Sequence, residues 1–270
     1  HRRLIEHDYS EPFVSFTLDD GYADNYVYAF PIFQKYEVPF AIYVCTGLID
    51  GTMRPWWRIL EEVVFARERI QAAVDGRTQI FETITTKQKY SAFHKIYWAL
   101  RRMPHDTQMA AIDMLEHRYE IRANVSQSRD EAASWQMLSE MLDTTLLTVG
   151  AHTITHDALS KLPESRVREE MAGSRNRLEK MLGTSPKHFA YPYGHADSAS
   201  RREFEIASAL GFTTAVTTRK GVVLPDHVEH LHALPRVSLN GYYQQSRYVT
   251  LFLSGVPFYL ARGLRRLDVN

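Results

Sequence analysis

Two places in this 270-residue chain gather side chains that do chemistry. The first is Asp19-Asp20-Gly21, which ends the apolar alternation Phe13-Val14-Ser15-Phe16-Thr17-Leu18. Adjacent carboxylates repel unless a positive charge sits between them. Where a strand ends the backbone turns, so both can reach one pocket while doing different jobs. The second is His152-Thr153-Ile154-Thr155-His156, just after Leu146-Leu147-Thr148-Val149-Gly150. Imidazoles four residues apart share one face of a helical turn, the spacing a divalent transition metal takes from local ligands. Among 12 histidines an H-x3-H pair alone is weak evidence; joined to a strand-terminal Asp-Asp-Gly it becomes a candidate metal site. One carboxylate and two imidazoles leave coordination positions open, which marks a catalytic site. The competing reading has the aspartates capping a helix and the histidines hydrogen-bonding locally.

The elements that must position these residues follow from periodicity. A largely buried strand runs from Phe13 into Asp19, Tyr22 to Tyr36 reads as a helix in which Pro31 marks an irregular start or a kink, and Phe40 to Val44 is a second strand. Together they make a βαβ unit, closed by a polar turn from Thr46 to Met53. Between Pro55 and Asp143 four helical patterns interrupt the alternation, carrying Trp56 and Leu60, Tyr90 and Tyr97, Ile112 and Leu115, and Trp135 and Leu138. No Gly/Ser/Pro-rich linker flanks this block, so it reads as an insertion within a single domain spanning 1–270. Strand and helix then alternate again: Leu146–Gly150, Glu164–Leu182 ending on Gly183, His188–Tyr191, Ser200–Leu210, Phe212–Thr217 and Leu234–Leu239. That order predicts an α/β fold, an irregular (β/α) barrel, with chemistry at the C-terminal ends of its strands.

Composition narrows the partners. Lys and Arg total 32 against 32 Asp and Glu, so no overall field draws nucleic acid or an anionic membrane. The single cysteine, Cys45, excludes an internal disulfide framework and lies in an apolar run. The tail from Tyr248 to Leu260 is too short and interrupted to span a bilayer. It is expected as a terminal helix covering the barrel, with a membrane-surface contact through Arg262, Arg265 and Arg266 as the alternative. No signal peptide is visible, so the expectation is a cytoplasmic protein, or a periplasmic or cell-surface one if an address segment has been removed.

The ordered motifs Thr17-Leu18-Asp19-Asp20-Gly21, His152-Thr153-Ile154-Thr155-His156 and Phe189-Ala190-Tyr191-Pro192-Tyr193-Gly194 resemble those of the polysaccharide deacetylases, the family 4 carbohydrate esterases with the nodulation-type deacetylase domain. The resemblance covers roughly Pro12 to Leu239, with Pro55 to Asp143 inserted. It implies Asp20, His152 and His156 as ligands of a divalent metal, zinc by default with cobalt, nickel or iron also accommodated. It implies Asp19 as general base and the Tyr193 backbone N–H as an oxyanion donor. The family's third motif usually carries an Arg that steadies the catalytic Asp, where this chain has Ala190; Arg236 could supply the missing positive charge. The family's hydrophobic-x-His motif, source of the general acid, has no clean counterpart. His230 and His232 are nearest in order, and His195 is the rival beside the Tyr193-Gly194 turn. Tyr22, Trp56, Trp57, Tyr191 and Tyr193 are candidates for stacking on sugar rings, with Tyr191, Tyr193 and Arg236 the expected substrate-side residues. The implied activity is metal-dependent removal of N-acetyl groups from amino sugars of an oligo- or polysaccharide. Alternatives are an O-acetyl esterase, a non-carbohydrate C–N amide hydrolase on the same metal site, or a glycan-binding protein that has lost catalysis.

Overall fold

Eight short strands form among the described residues of the computed structural model, which are 1–121, 131–262 and 267–269. They are β1 (Phe16–Asp20), β2 (Phe40–Val44), β3 (Arg69–Val74), β4 (Arg77–Glu82), β5 (Leu147–Ala151), β6 (His188–Ala190), β7 (Thr214–Lys220) and β8 (Leu234–Arg236). The chain divides into two units: His1–Thr52 with Arg129–Asn270, and Met53–Ser128.

The first unit holds a six-stranded parallel sheet in the order β1-β2-β5-β6-β7-β8, curled into a half-barrel. Alternation along the strands sorts two faces. Tyr43, Ala190, Val216 and Leu234 line the concave face, and Leu4 of the N-terminal turn packs among them. Ile42, Val44, Val149 and Phe189 are buried on the other face, where the helix Glu164–Leu182 packs on β5. Each such side chain contributes on the order of 1.5–3 kcal/mol when buried. The irregular (β/α) barrel expected from the sequence is thus realised as a curled, open sheet.

Several local expectations change. The strand expected to be largely buried is not: Phe13 and Val14 precede β1 and are 44% and 55% exposed, Phe16 is 37% exposed, and the rest of this edge strand is only half-buried. Of the two readings of Pro31 the irregular start holds: Tyr22–Tyr36 opens as a π-helical turn over Asn25–Ala29, and the regular helix Phe30–Lys35 takes Pro31 in its first turn, where a missing N–H costs nothing. The stretch expected as a polar turn contains a helix, Thr46–Asp50, stopped by Gly51 at φ 67°. The tail is two short helices, Ser246–Leu253 and Val256–Arg262, and the first buries no residue. Arg265 and Arg266 lie outside the described residues. Among the described residues no helix is long and apolar enough to cross a membrane.

The second unit contains the helices Trp56–Ala66, Thr86–Arg102 and His105–Tyr119. It also holds a hairpin that its helical pattern concealed: β3 and β4 pair antiparallel through Asp75-Gly76, both at positive φ, as a two-residue turn requires. Trp56 is buried there against Tyr97, with ring centroids 5.1 Å apart, so it is core and not a sugar platform. The helix Trp135–Leu142, expected within the inserted block, belongs to the first unit.

Gly150 faces Tyr43 across the β2–β5 ladder, and a Cβ there would lie 2.3 Å from the Tyr43 ring. Gly150→Ala should therefore lower unfolding stability by about 1–3 kcal/mol, as overpacking does. Denaturant unfolding of the two proteins checks this.

Candidate active site

Register brings the first cluster together. Asp20 is level with Val44 and Ala151 across β1, β2 and β5, so His152 is the next residue beyond that row. Its N–H continues the ladder to the Val44 carbonyl at 3.0 Å. Asp20 adopts φ 71°, a left-handed conformation that short polar residues tolerate best. Its Oδ1 then lies 3.3 Å from His152 Nε2 and 3.1 Å from His156 Nε2.

The two histidines do not share a helical turn as their spacing suggested. Thr153 and His156 both take left-handed backbone, at φ 67° and 59°. The His156 N–H is satisfied by Thr153 Oγ1 at 3.0 Å, while Thr46 and Gly47 donate their N–H groups to the Thr153 and Ile154 carbonyls. An irregular loop thereby brings the imidazoles to a centroid separation of 5.0 Å.

Whether these residues suit a cation can be read from protons. His152 Nδ1 lies 2.7 Å from the Ala190 carbonyl oxygen, which can only accept. Nδ1 therefore carries a proton, and in the neutral imidazole Nε2 presents a lone pair. That lone pair faces Asp20 Oδ1, a buried oxygen that takes no hydrogen bond. Two electron-rich atoms aimed at each other call for a positive charge between them. Donor atoms of Asp20, His152 and His156 all lie within 4.8 Å of one another, and two imidazoles with one carboxylate form a borderline-soft set. Burial pushes the Asp20 carboxyl up, but the His156 and His152 rings in their protonated forms would outweigh it and hold the carboxyl well below the usual carboxylate range, the same call for positive charge answered by protons.

Asp19 points elsewhere. Arg236, at the end of β8, donates Nη1 to Asp19 Oδ1 and Nη2 to Oδ2, both at 2.7 Å. Nη1 also reaches Thr17 Oγ1 at 3.1 Å, and Nε donates to the Thr217 carbonyl at 2.9 Å. The guanidinium lies over the Tyr43 ring, 5.8 Å from its centroid. Expected on the substrate side or as a substitute for the family's usual Arg, Arg236 has its donors committed to Asp19, Thr17 and Thr217. Burial raises the Asp19 pKa, but hydrogen bonds and charge from Arg236 more than offset it, so the carboxyl sits below its ordinary value. Asp19 still keeps 30% of its side-chain surface, enough to meet a water or a substrate.

The third motif divides. Tyr193, at φ 62°, sets its ring edge-on to His156 at 4.9 Å. Gly194 is needed behind it, since a Cβ would lie 2.5 Å from the Thr218 nitrogen. His195 is exposed, with Nδ1 3.2 Å from Thr218 Oγ1. Tyr191, expected to bind substrate, is instead 0% exposed; its hydroxyl donates to the His232 carbonyl at 2.9 Å. Strand alternation turns it into the core. His232 is spent on the Phe212 carbonyl at 2.7 Å, and both His230 and His232 precede β8, at the strand end opposite Arg236. Neither belongs to this face.

The sequence profile of the polysaccharide deacetylase family matches residues 6–215. No curated protein matches the chain in sequence. Among solved structures, it resembles the Streptococcus pyogenes deacetylase PplD in complex with acetate, at 17% identity and a TM-score of 0.58, over 93% of this chain and 75% of that one. It also resembles the de-N-acetylase from Aggregatibacter actinomycetemcomitans, at 13% identity and 0.55, over 93% and 79%. IcaB from Ammonifex degensii aligns at 20% identity and 0.50, over 88% and 71%. At these identities the likeness is one of fold.

The Arg236–Asp19 pair has a definite pH signature. A depressed carboxylate pKa contributes stability above its unfolded value, 3.8, and loses it as pH falls through the folded value. Arg236→Gln leaves Asp19 charged without its partner and should cost about 3 kcal/mol at neutral pH. The gap from the parent should close in acid, below the usual carboxylate range. Denaturant melts across pH check the sign; a gap that widens in acid contradicts it.

Proposed function

The chain belongs to the polysaccharide deacetylase family, and from that premise we propose that it is a metal-dependent hydrolase removing N-acetyl groups from amino sugars of an oligo- or polysaccharide. One observation carries the reading: a convergent Asp20-His152-His156 donor set stands next to a carboxylate, Asp19, that is held ionised by a separate arginine. The two adjacent aspartates are thus chemically distinct.

A divalent cation held by Asp20, His152 and His156, zinc by default with cobalt, nickel or iron suited to the same donors, would supply Lewis acidity toward an acyl carbonyl and water. Asp19 would take the proton of the attacking water. Each of its oxygens accepts one Arg236 N–H and retains a second lone pair, so the pairing orients the base without consuming it. The Tyr193 N–H, in a turn fixed by Gly194, would stabilise the oxyanion.

His195 would protonate the leaving amine. The Thr218 hydroxyl donates to the Tyr193 carbonyl, so Thr218 Oγ1 accepts from His195 Nδ1–H. Nε2 is left as the atom that gains and loses the proton. Tyr193 is the aromatic best placed to meet a sugar face.

Acetate release from N-acetylated oligosaccharides is the direct assay. Chelation should abolish it and zinc restore it. Asp19→Asn should lower kcat about 10²–10⁴-fold while the protein still binds metal. His152→Ala or His156→Ala should lose metal itself, measured by elemental analysis. Full turnover by Asp19→Asn rules out the base assignment.

An O-acetyl ester has a better leaving group than an amide, so acid assistance separates the two substrate types. His195→Ala should lose about 10²-fold on N-acetyl substrates and much less on O-acetyl ones. Equal losses on both remove His195 from the acid role, and faster turnover of the ester by the parent protein favours esterase activity.

A further inference from the structure

The loop bearing His152 and His156 has left-handed residues at two positions, so something must hold it in shape. Glu170, on the helix Glu164–Leu182, is 1% exposed and meets the middle of that loop. Its Oε2 accepts the N–H groups of Ile154 at 2.8 Å and Thr155 at 2.9 Å. Its Oε1 lies 2.9 Å from the Thr155 hydroxyl. Such charge-assisted bonds to backbone amides are stronger than neutral ones. Arg166 Nη2, 3.5 Å away on a half-exposed side chain, is too distant to account for burying this carboxylate.

A second contact points the same way. Gly173 lies three residues further along the helix, on the same face. A Cβ there would sit 2.6 Å from Ile154 Cδ1. One helix face thus reaches the loop twice, with a carboxylate on its amides and with bare backbone beneath Ile154. From the other side Thr46 and Gly47 hold the Thr153 and Ile154 carbonyls. The peptide planes between the two histidines are gripped at both their donors and their acceptors.

We propose that Glu170, with Gly173 beside it, is a positioning residue for the metal site: its carboxylate fixes the Ile154–Thr155 amides so that His152 and His156 present Nε2 to one cation. This rests on the metal-dependent reading above. Removing the carboxylate frees two amides at once and lets the left-handed residues relax, which turns the imidazoles apart.

The experiment titrates metal-free protein with cobalt(II) and follows both affinity and the visible absorption that reports coordination geometry. Glu170→Asp is one methylene too short to reach both amides. It should bind cobalt about 10–100-fold more weakly, with an altered spectrum. Glu170→Gln keeps a carbonyl oxygen where Oε2 stood and should restore affinity and spectrum close to the parent's. A folded Glu170→Asp that binds cobalt as the parent does, with the same absorption, overturns the proposal. Should that variant not fold, Gly173→Ala is read instead: weaker cobalt binding supports the proposal and parent-like binding overturns it. The metal reading fails separately, if the parent binds no cobalt or if His152→Ala binds it equally well.

Discussion

The bidentate contact between Arg236 and Asp19 is the constraint on which the rest of the site depends. β1 and β8 are the two edges of the sheet, and no ladder joins them. Arg236 spans that gap with one planar guanidinium, touching Thr17 and Asp19 on β1 and Thr217 on β7. Closing a curled sheet with an ion pair instead of hydrogen-bonded strands leaves its mouth open. It also places a fixed positive charge beside the first of two neighbouring carboxylates. Tyr43 completes the arrangement from the concave face: burial pushes its hydroxyl up to about 12, so a neutral ring lies beneath the guanidinium.

With Asp19 so engaged, the electrostatics of Asp20 resolve differently. Its partners are imidazoles, and the Ala190 carbonyl decides which nitrogen of His152 they meet. Position 190 contributes its backbone carbonyl to His152, while a guanidinium arrives from β8 to hold Asp19. The two carboxylates thus face different partners, Arg236 for Asp19 and the imidazoles of His152 and His156 for Asp20.

How much of this was legible in sequence depended on the range of the interaction. β2 and the helix Glu164–Leu182 were read with the bounds they have, because period, length and the Gly183 cap are local signals. The candidate donor cluster was legible because residue type and strand-end placement coincide at Asp20 and His152. The shape of the histidine loop was not, since an i, i+4 spacing fits a helical turn as well as a loop bent at Thr153 and His156. Tyr191 was misread for want of one bit of information, its strand parity, which turns it inward. Arg236 could be suspected from an absence at Ala190, but its bidentate geometry comes from sheet curl that no local pattern encodes. Glu170 gave no signal: in sequence it is one more acid on a charged helix.

Backbone strain ties these observations together. Of nine non-glycine residues at positive φ among the described residues, four are Asp20, Thr153, His156 and Tyr193. Each such conformation costs on the order of 1 kcal/mol or more, so the site stores several kcal/mol in one small region. It persists because neighbours over-determine it: ladder bonds from Val44, the carbonyl contacts of Thr46 and Gly47, the Glu170 carboxylate, and the Thr218 hydroxyl on Tyr193. None of these groups need touch a substrate. They hold donors in place before any cation or acyl group arrives, so the reorganisation that binding would otherwise require is already complete in the folded chain.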